Sequence, residues 1–237
     1  MIETSTASYS ERLVEALPRV RDRIARAADA CERAPDDILL VAVTKSHPVE
    51  AVEAALAAGL THLGENRVEE LEQKVGTLGR TVGTWHMIGH IQSRKAKTVS
   101  GLADLVHSVD TPKLARRLAV AAWERGESQR VLLQVNTSGE ASKSGFAGEG
   151  AVDAILELAE LDGLDVAGLM TMAPFVDDEA VLGDAFAGLR RLLEVVRSQS
   201  PHVGPELSMG MTNDLEIAIR EGSTMVRIGT ALFGPRS

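Results

Sequence analysis

The chain has 237 residues, a formal net charge of -9, one cysteine and only 3% aromatic residues. That length suits one large α/β domain with a substantial core, while the acidic balance, with no basic stripe interleaved with aromatics, excludes a nucleic-acid footprint and a general anionic-membrane surface. No apolar segment is as long as a membrane span, residues 1–10 are polar without a signal-peptide pattern, and Cys31 has no intrachain partner, so a cytoplasmic protein is expected.

Residues 10–33 place Leu13, Leu17, Val20 and Ile24 at spacings of three and four, which predicts an amphipathic helix with Pro18 as a kink site. After Pro35-Asp36-Asp37 comes an apolar run at 38–43, the pattern of a strand covered on both faces inside a parallel sheet. Lys45, Ser46, His47 and Pro48 stop it. In α/β folds the chemistry gathers at the carboxyl ends of the strands, which makes Lys45 a candidate functional lysine. Position alone is a weak sign, because most lysines there are solvated loop residues.

The alternation continues. Pro48 stands in the first turn of a helix carrying Val49, Val52 and Leu56 and closed by Gly59. Strand candidates follow at 61–63, ending in Gly64-Glu65-Asn66, and at 85–88, ending in Gly89-His90, with helices running to about 75 and from about 92. The next is 105–109, after which Thr111 caps a helix that opens on Pro112. Residues 131–135 end at Asn136, and the loop to Gly150 holds Ser142-Lys143-Ser144-Gly145 before a helix at 151–161. Residues 166–172 precede Pro174 and a helix at 181–196; 207–209 and 225–228 complete the set. Between those two, Asn213 is the predicted helix cap, Glu216 its capping-box partner and Gly222 the helix end.

Eight strand candidates separated by helices, without a low-complexity linker, predict a single (β/α)8 TIM barrel domain over 1–237: an N-terminal helical segment at 1–33 and the barrel at 38–237. In that fold Lys45, Glu65, Asn66, His90, Asp110, Asn136, Met170, Ser208, Arg227 and Thr230 all follow or close a strand.

A lysine amine at the mouth of a partly apolar pocket is a nucleophile toward aldehydes, so a carbonyl cofactor or substrate is one reading. If that molecule carries phosphate, Ser208-Met209-Gly210-Met211 and Gly229-Thr230 offer close backbone approach and hydroxyl donors. Arg227 lies within an apolar strand, where a guanidinium is costly unless an acceptor receives it. His86 and His90 are four apart but lack further ligands at a metal-site spacing. Asp177, Asp178 and Glu179 read as charges complementing the start of a long helix. Neither Ser144 nor Ser208 belongs to a readable Ser, His and Asp arrangement.

Val-Thr-Lys-Ser-His-Pro around Lys45, Gly-Glu-Asn-Arg at 64–67, Trp-His-Met-Ile-Gly-His-Ile-Gln-Ser at 85–93, Ser-Lys-Ser-Gly-Phe at 142–146, Gly-Leu-Met-Thr-Met at 168–172, Leu-Ser-Met-Gly-Met at 207–211 and Gly-Ser-Thr-Met-Val-Arg-Ile-Gly-Thr at 222–230 closely resemble the YggS/PROSC family of pyridoxal phosphate homeostasis proteins. The resemblance implies a barrel like the N-terminal domain of alanine racemase (fold type III), binding pyridoxal 5'-phosphate (PLP) as an internal aldimine on Lys45. It implies that Arg227 approaches the pyridine nitrogen, that Ser208, Gly229 and Thr230 hold the phosphate, and that Asn66 and Met209 line the cofactor. Arg94, His47 and Asn213 depart from the family pattern, at rim positions. PLP-dependent apo-enzymes are the implied partners, and a monomer is expected.

A guanidinium facing the ring nitrogen cannot donate or accept a proton as an acid-base group would, which disfavours carbanion chemistry. Related racemases are similar in taking a tyrosine from an added β domain, whereas the one tyrosine here, Tyr9, falls in the polar N-terminal stretch. The leading expectation is a PLP carrier without efficient catalysis. A weak amino-acid racemase, with Lys143 or His90 as second base, is the alternative; an aldolase-like barrel using Lys45 on a phosphorylated substrate is the third.

Overall fold

The computed structural model describes residues 6–137, 144–148 and 150–235. Eight parallel strands close in chain order into a barrel: β1 Leu39–Val43, β2 His62–Glu65, β3 Thr84–Met87, β4 Leu105–Val109, β5 Gln129–Gln134, β6 Leu164–Met170, β7 Val203–Ser208 and β8 Met225–Ile228. The ring is sealed by β1 against β8, with Leu39 opposite Met225 and Ala42 opposite Ile228. Around it lie α1 Thr6–Asp29, α2 Val49–Ala57, α3 Val68–Leu78, α4 Ala96–Leu102, α5 Pro112–Trp123, α6 Ala151–Ala159, α7 Glu179–Gln199, α8 Leu215–Arg220 and α9 Thr230–Phe233. The fold is the expected TIM barrel. Among the described residues no helix is long and apolar enough to cross a membrane.

The helices bury apolar stripes against the sheet, although α2 fully buries Ala51, Val52, Ala54 and Ala55 and leaves the expected Val49 and Leu56 only partly covered. In α5, Thr111 Oγ1 accepts the Leu114 N–H at 3.3 Å, Pro112 opens the helix, and Leu114, Ala115, Leu118, Ala119 and Ala122 face the core. The N-terminal helix buries Leu13, Leu17, Val20 and Ile24 and runs from residue 6 to 29, shifted from the expected 10–33. It continues through Pro18. That residue is exposed, so the carbonyl left without an N–H partner, on the exposed Val14, has access to water.

Two further departures have local causes. The seventh strand begins at Val203, earlier than the expected 207, although it contains Gly204-Pro205. The register slips here, from Val166 opposite Val203 to Gly168 opposite Glu206, and the irregularity accommodates a residue with no N–H to donate. At the last main helix the N-cap is Asp214, not Asn213: the Asp214 carboxylate accepts the Met211 N–H, and Asn213 is exposed. Glu216 forms no capping box because α1 claims it, with Arg23 Nε and Nη2 reaching its two oxygens at 2.6 and 2.8 Å.

Gly168 is held at φ +152°, and a β-carbon there would collide with the Glu206 carbonyl oxygen. Replacement by alanine is therefore expected to destabilise the barrel by more than about 1 kcal/mol. A lowered urea midpoint would register it, and an unchanged midpoint would show that β6 and β7 separate without strain.

Candidate functional site

A cavity of about 480 Å3 opens at the carboxyl ends of the strands, between β1, β8, the β6–α7 connection and the turn before α8. Lys45, Asn66, Arg227, Gly229 and Thr230 line it. Lys45 is partly buried, and the turn carrying it is fixed on both sides. Ser46 adopts the left-handed region at φ +61°, uncommon for a residue with a side chain; its N–H donates to Glu70 Oε2 at 2.8 Å, and His47 N–H donates to Thr44 O at 3.1 Å. Gly229 sits against β1 so closely that a β-carbon would stand 3.1 Å from Val43 O.

His47 also lines the cavity, and its Nδ1 lies 3.1 Å from the Tyr9 hydroxyl. Both rings pack on Phe233. Tyr9 is thus a core residue, not part of a polar tail, because α1 begins before it and lays it over the end of the barrel.

Beneath the lysine turn lies a buried ion pair. Lys74 Nζ reaches Glu65 Oε1 at 2.6 Å and Thr44 O at 2.8 Å, and Thr44 Oγ1 donates to the same carboxylate oxygen. Burial pushes the Glu65 carboxyl above its usual range, while Lys74 and Thr44 pull it back. Glu65 is fully buried and tied to α3 through this pair, so its strand-end position braces the site from behind.

The wall on the β6 to β8 side is organised by Arg227, buried on β8. Its Nη1 donates to Ser208 Oγ at 2.6 Å and its Nη2 to Thr171 O at 3.0 Å. Burial pushes the guanidinium down to about 10, with the Asp214 charge acting against the shift. Ser208 and Met209 are fully buried and stand behind the cavity wall. A chain of side chains leads away from Ser208 through the barrel interior: His107 Nδ1 lies 2.8 Å from Ser208 Oγ, His86 Nδ1 2.8 Å from His107 Nε2, and His62 Nδ1 3.0 Å from His86 Nε2.

His86 therefore belongs with His62 and His107 on neighbouring strands. His90, its sequence neighbour four residues on, is largely exposed and lies 3.2 Å from Asp110 Oδ2. Met170 is buried in the core, and Asn136 donates its backbone N–H to Phe146 O at 2.9 Å. Lys143 and Ser142 lie outside the described residues. The sequence reading missed Asp214, the histidine chain and the connection carrying Phe175, which is 98% exposed at the cavity mouth. Only the histidines left a readable signal, as polar positions within otherwise apolar strands.

The family model of the alanine racemase N-terminal domain matches residues 16–237. A pyridoxal phosphate homeostasis protein of Pseudomonas aeruginosa is 43% identical over 225 residues, covering 94% of this chain and 96% of the relative. The chain belongs to that family. Among solved structures, a protein of unknown function from Bifidobacterium adolescentis superposes with a TM-score of 0.91 at 36% identity, covering 98% of each chain. PipY of Synechococcus elongatus, solved with PLP bound, gives 0.79 at 37% identity, covering 89% of this chain and 100% of that one.

The buried groups give two expectations. Lys74→Met leaves Glu65 buried without its cation and should cost about 3–5 kcal/mol at neutral pH. The deficit should shrink as pH falls, since a protonated Glu65 needs no counter-charge; urea unfolding across pH would reveal a deficit that fails to shrink. The histidines act in the opposite direction. Burial lowers His86 from 6.5 to about 3, holds His107 well below its usual value, and also lowers His62. Between those limits the unfolded chain binds more protons than the folded one, so stability is fully present above 6.5 and is lost as pH falls. For each of the two most buried rings the loss approaches about 1.4 kcal/mol per pH unit. Unfolding free energies that stay flat between about pH 7 and about pH 5, where few carboxylates titrate, would mean that the rings are already protonated in the fold.

Proposed function

We propose that this chain holds PLP covalently through the Lys45 amine and acts in intracellular PLP homeostasis as a carrier without efficient catalysis. The observation that carries the reading is that a partly buried primary amine, Lys45, and a buried guanidinium, Arg227, face one cavity. The donor set fits the cofactor: an amine for an aldehyde, a donor-only guanidinium for a ring nitrogen, and the Gly229 backbone with the Thr230 hydroxyl for a phosphate. Asn66 adds a polar group to the wall, Ser208 acts by holding Arg227, and Met209 backs the site from the core. The names of the relatives, and the PLP in PipY, support the assignment.

Bound here, PLP would supply an electrophilic aldehyde and an electron-accepting ring. Arg227 keeps a nitrogen opposite it unprotonated, because even at about 10 the guanidinium does not release its proton near neutrality. Lys45 supplies the attachment, and its fixed turn sets where the amine points. Tyr9, the only tyrosine in the sequence, turns its hydroxyl to His47. We infer further that residues 1–237 act as one domain, as a monomer in the cytoplasm, with PLP-dependent apo-enzymes as recipients. A weak racemase is the second reading, and the observation favouring it is His47, an imidazole in the cavity wall.

The test is the visible absorbance of the protein and of Lys45→Ala with added PLP, followed by borohydride and an amino-acid turnover assay. The expected result is a band in the wild type that reduction fixes on Lys45, its loss in the variant, and no appreciable racemisation. An identical band in the variant would remove Lys45 from its role. Sustained turnover would favour the enzyme.

A further inference from the structure

The Arg227 network has a direction. A guanidinium is donor only, so Ser208 Oγ accepts from Arg227 Nη1. Ser208 is fully buried, and its other side-chain partner is His107 Nδ1. If His107 carried its proton on Nδ1, it would donate to Ser208 and leave the hydroxyl proton stranded, at a cost of about 1–3 kcal/mol. The hydroxyl therefore donates to His107 Nδ1. A neutral His107 then carries its proton on Nε2 and donates to His86 Nδ1, and His86, protonated on Nε2, donates to His62 Nδ1. His62 is left with an Nε2–H at the amino-terminal end of the barrel, beside a second cavity of about 380 Å3 that it lines with Arg21, Leu39 and Leu40. One proton serves each link, and a reversed link anywhere sets two protons or two lone pairs against each other.

We propose that His62, His86 and His107 are positioning residues for Arg227, forming a one-way hydrogen-bond chain that holds Ser208 and the guanidinium in place. All three rings turn their unprotonated nitrogens toward the arginine, so their dipoles favour a cation in a dry site. The lowered basicity of the three rings agrees with their being neutral. The charges acting on the rings are cationic, Arg227 on His107 and Arg130 on His86, while the anions nearby go to those arginines: Asp214 to Arg227, and Asp165 and Glu206 to Arg130. An extra proton on His86 or His107 therefore finds repulsion, and one on His62 meets the cost of burial.

The consequence for PLP rests on the function proposed above; the tautomers and the order of the arginine do not. Nitrogen-15 NMR of the cofactor-free protein tests both. At neutral pH three neutral Nε2–H imidazoles and a guanidinium with restricted Nη rotation are expected. A Nδ1–H tautomer or a cation at any of the three histidines overturns the chain, and so does a freely rotating Arg227. His107→Leu should release the guanidinium signals, while His107→Gln, which can still accept with its oxygen and donate with its nitrogen, should restore them. In a PLP titration His107→Leu should weaken binding at least about tenfold, with rescue in His107→Gln. Equal binding by His107→Leu and the wild type overturns the positioning role. If the wild type takes up no PLP, the proposed function falls, and the NMR arm alone decides the chain.

Discussion

Arg227 is 5% exposed, and its hydrogen bonds go to a hydroxyl and a carbonyl. Taking a cation out of water costs several kcal/mol unless each face of it meets a lone pair or a negative charge. That demand reaches across the carboxyl end of the barrel. Ser208 closes β7, Thr171 follows β6 and turns its carbonyl to the arginine, and Asp214, the cap of α8, adds negative charge nearby. This side of the cavity is therefore built to satisfy one guanidinium, and the residues that do so come from two strand ends and a helix start.

The lysine side obeys a different constraint. Lys45 stands on a turn whose next residue is left-handed and whose amide is bound by Glu70 from α3. The same helix sends Lys74 under β1 to meet Glu65 and the Thr44 carbonyl. Two contacts from one helix thus fix the end of β1 from below and from the side. A lysine on a slack loop would spend rotamer freedom on each binding event, so on the proposed reading the ordering of this turn beforehand favours capture of the cofactor.

The barrel and the position of Lys45 at its carboxyl end were legible because their signals are local. An apolar run covered on both faces reads as a strand, and the residues just past its end in an α/β chain fall on the functional side of the sheet. The capping pair at Thr111 and Pro112 was readable for the same reason. Asn213 and Glu216 carried an equally plain capping pattern, yet Glu216 was claimed by Arg23, nearly two hundred residues earlier in the chain, and Asp214 took the cap. Tyr9 was misplaced because burial by the first turn of α1 depends on how the helix docks, which polarity alone does not reveal. The histidines were hidden by reading His86 along the chain, toward His90, when its partners lie across the sheet on β2 and β4.

On the proposed reading, holding a reactive aldehyde and declining to use it are two results of one arrangement. A carrier needs an amine that captures the aldehyde and a pocket that suits the phosphate and ring, and both serve an enzyme equally well. What separates the two is proton traffic. A guanidinium that keeps its proton near neutrality denies the ring nitrogen the protonation that would make it a strong electron sink. The interior behind it offers neutral imidazoles whose lone pairs are already engaged, so no base waits there to exchange a proton with the site. The groups that keep Arg227 charged are thus the same groups that keep the barrel interior silent as an acid or base, and a barrel fold shared with racemases can retain a cofactor without consuming amino acids.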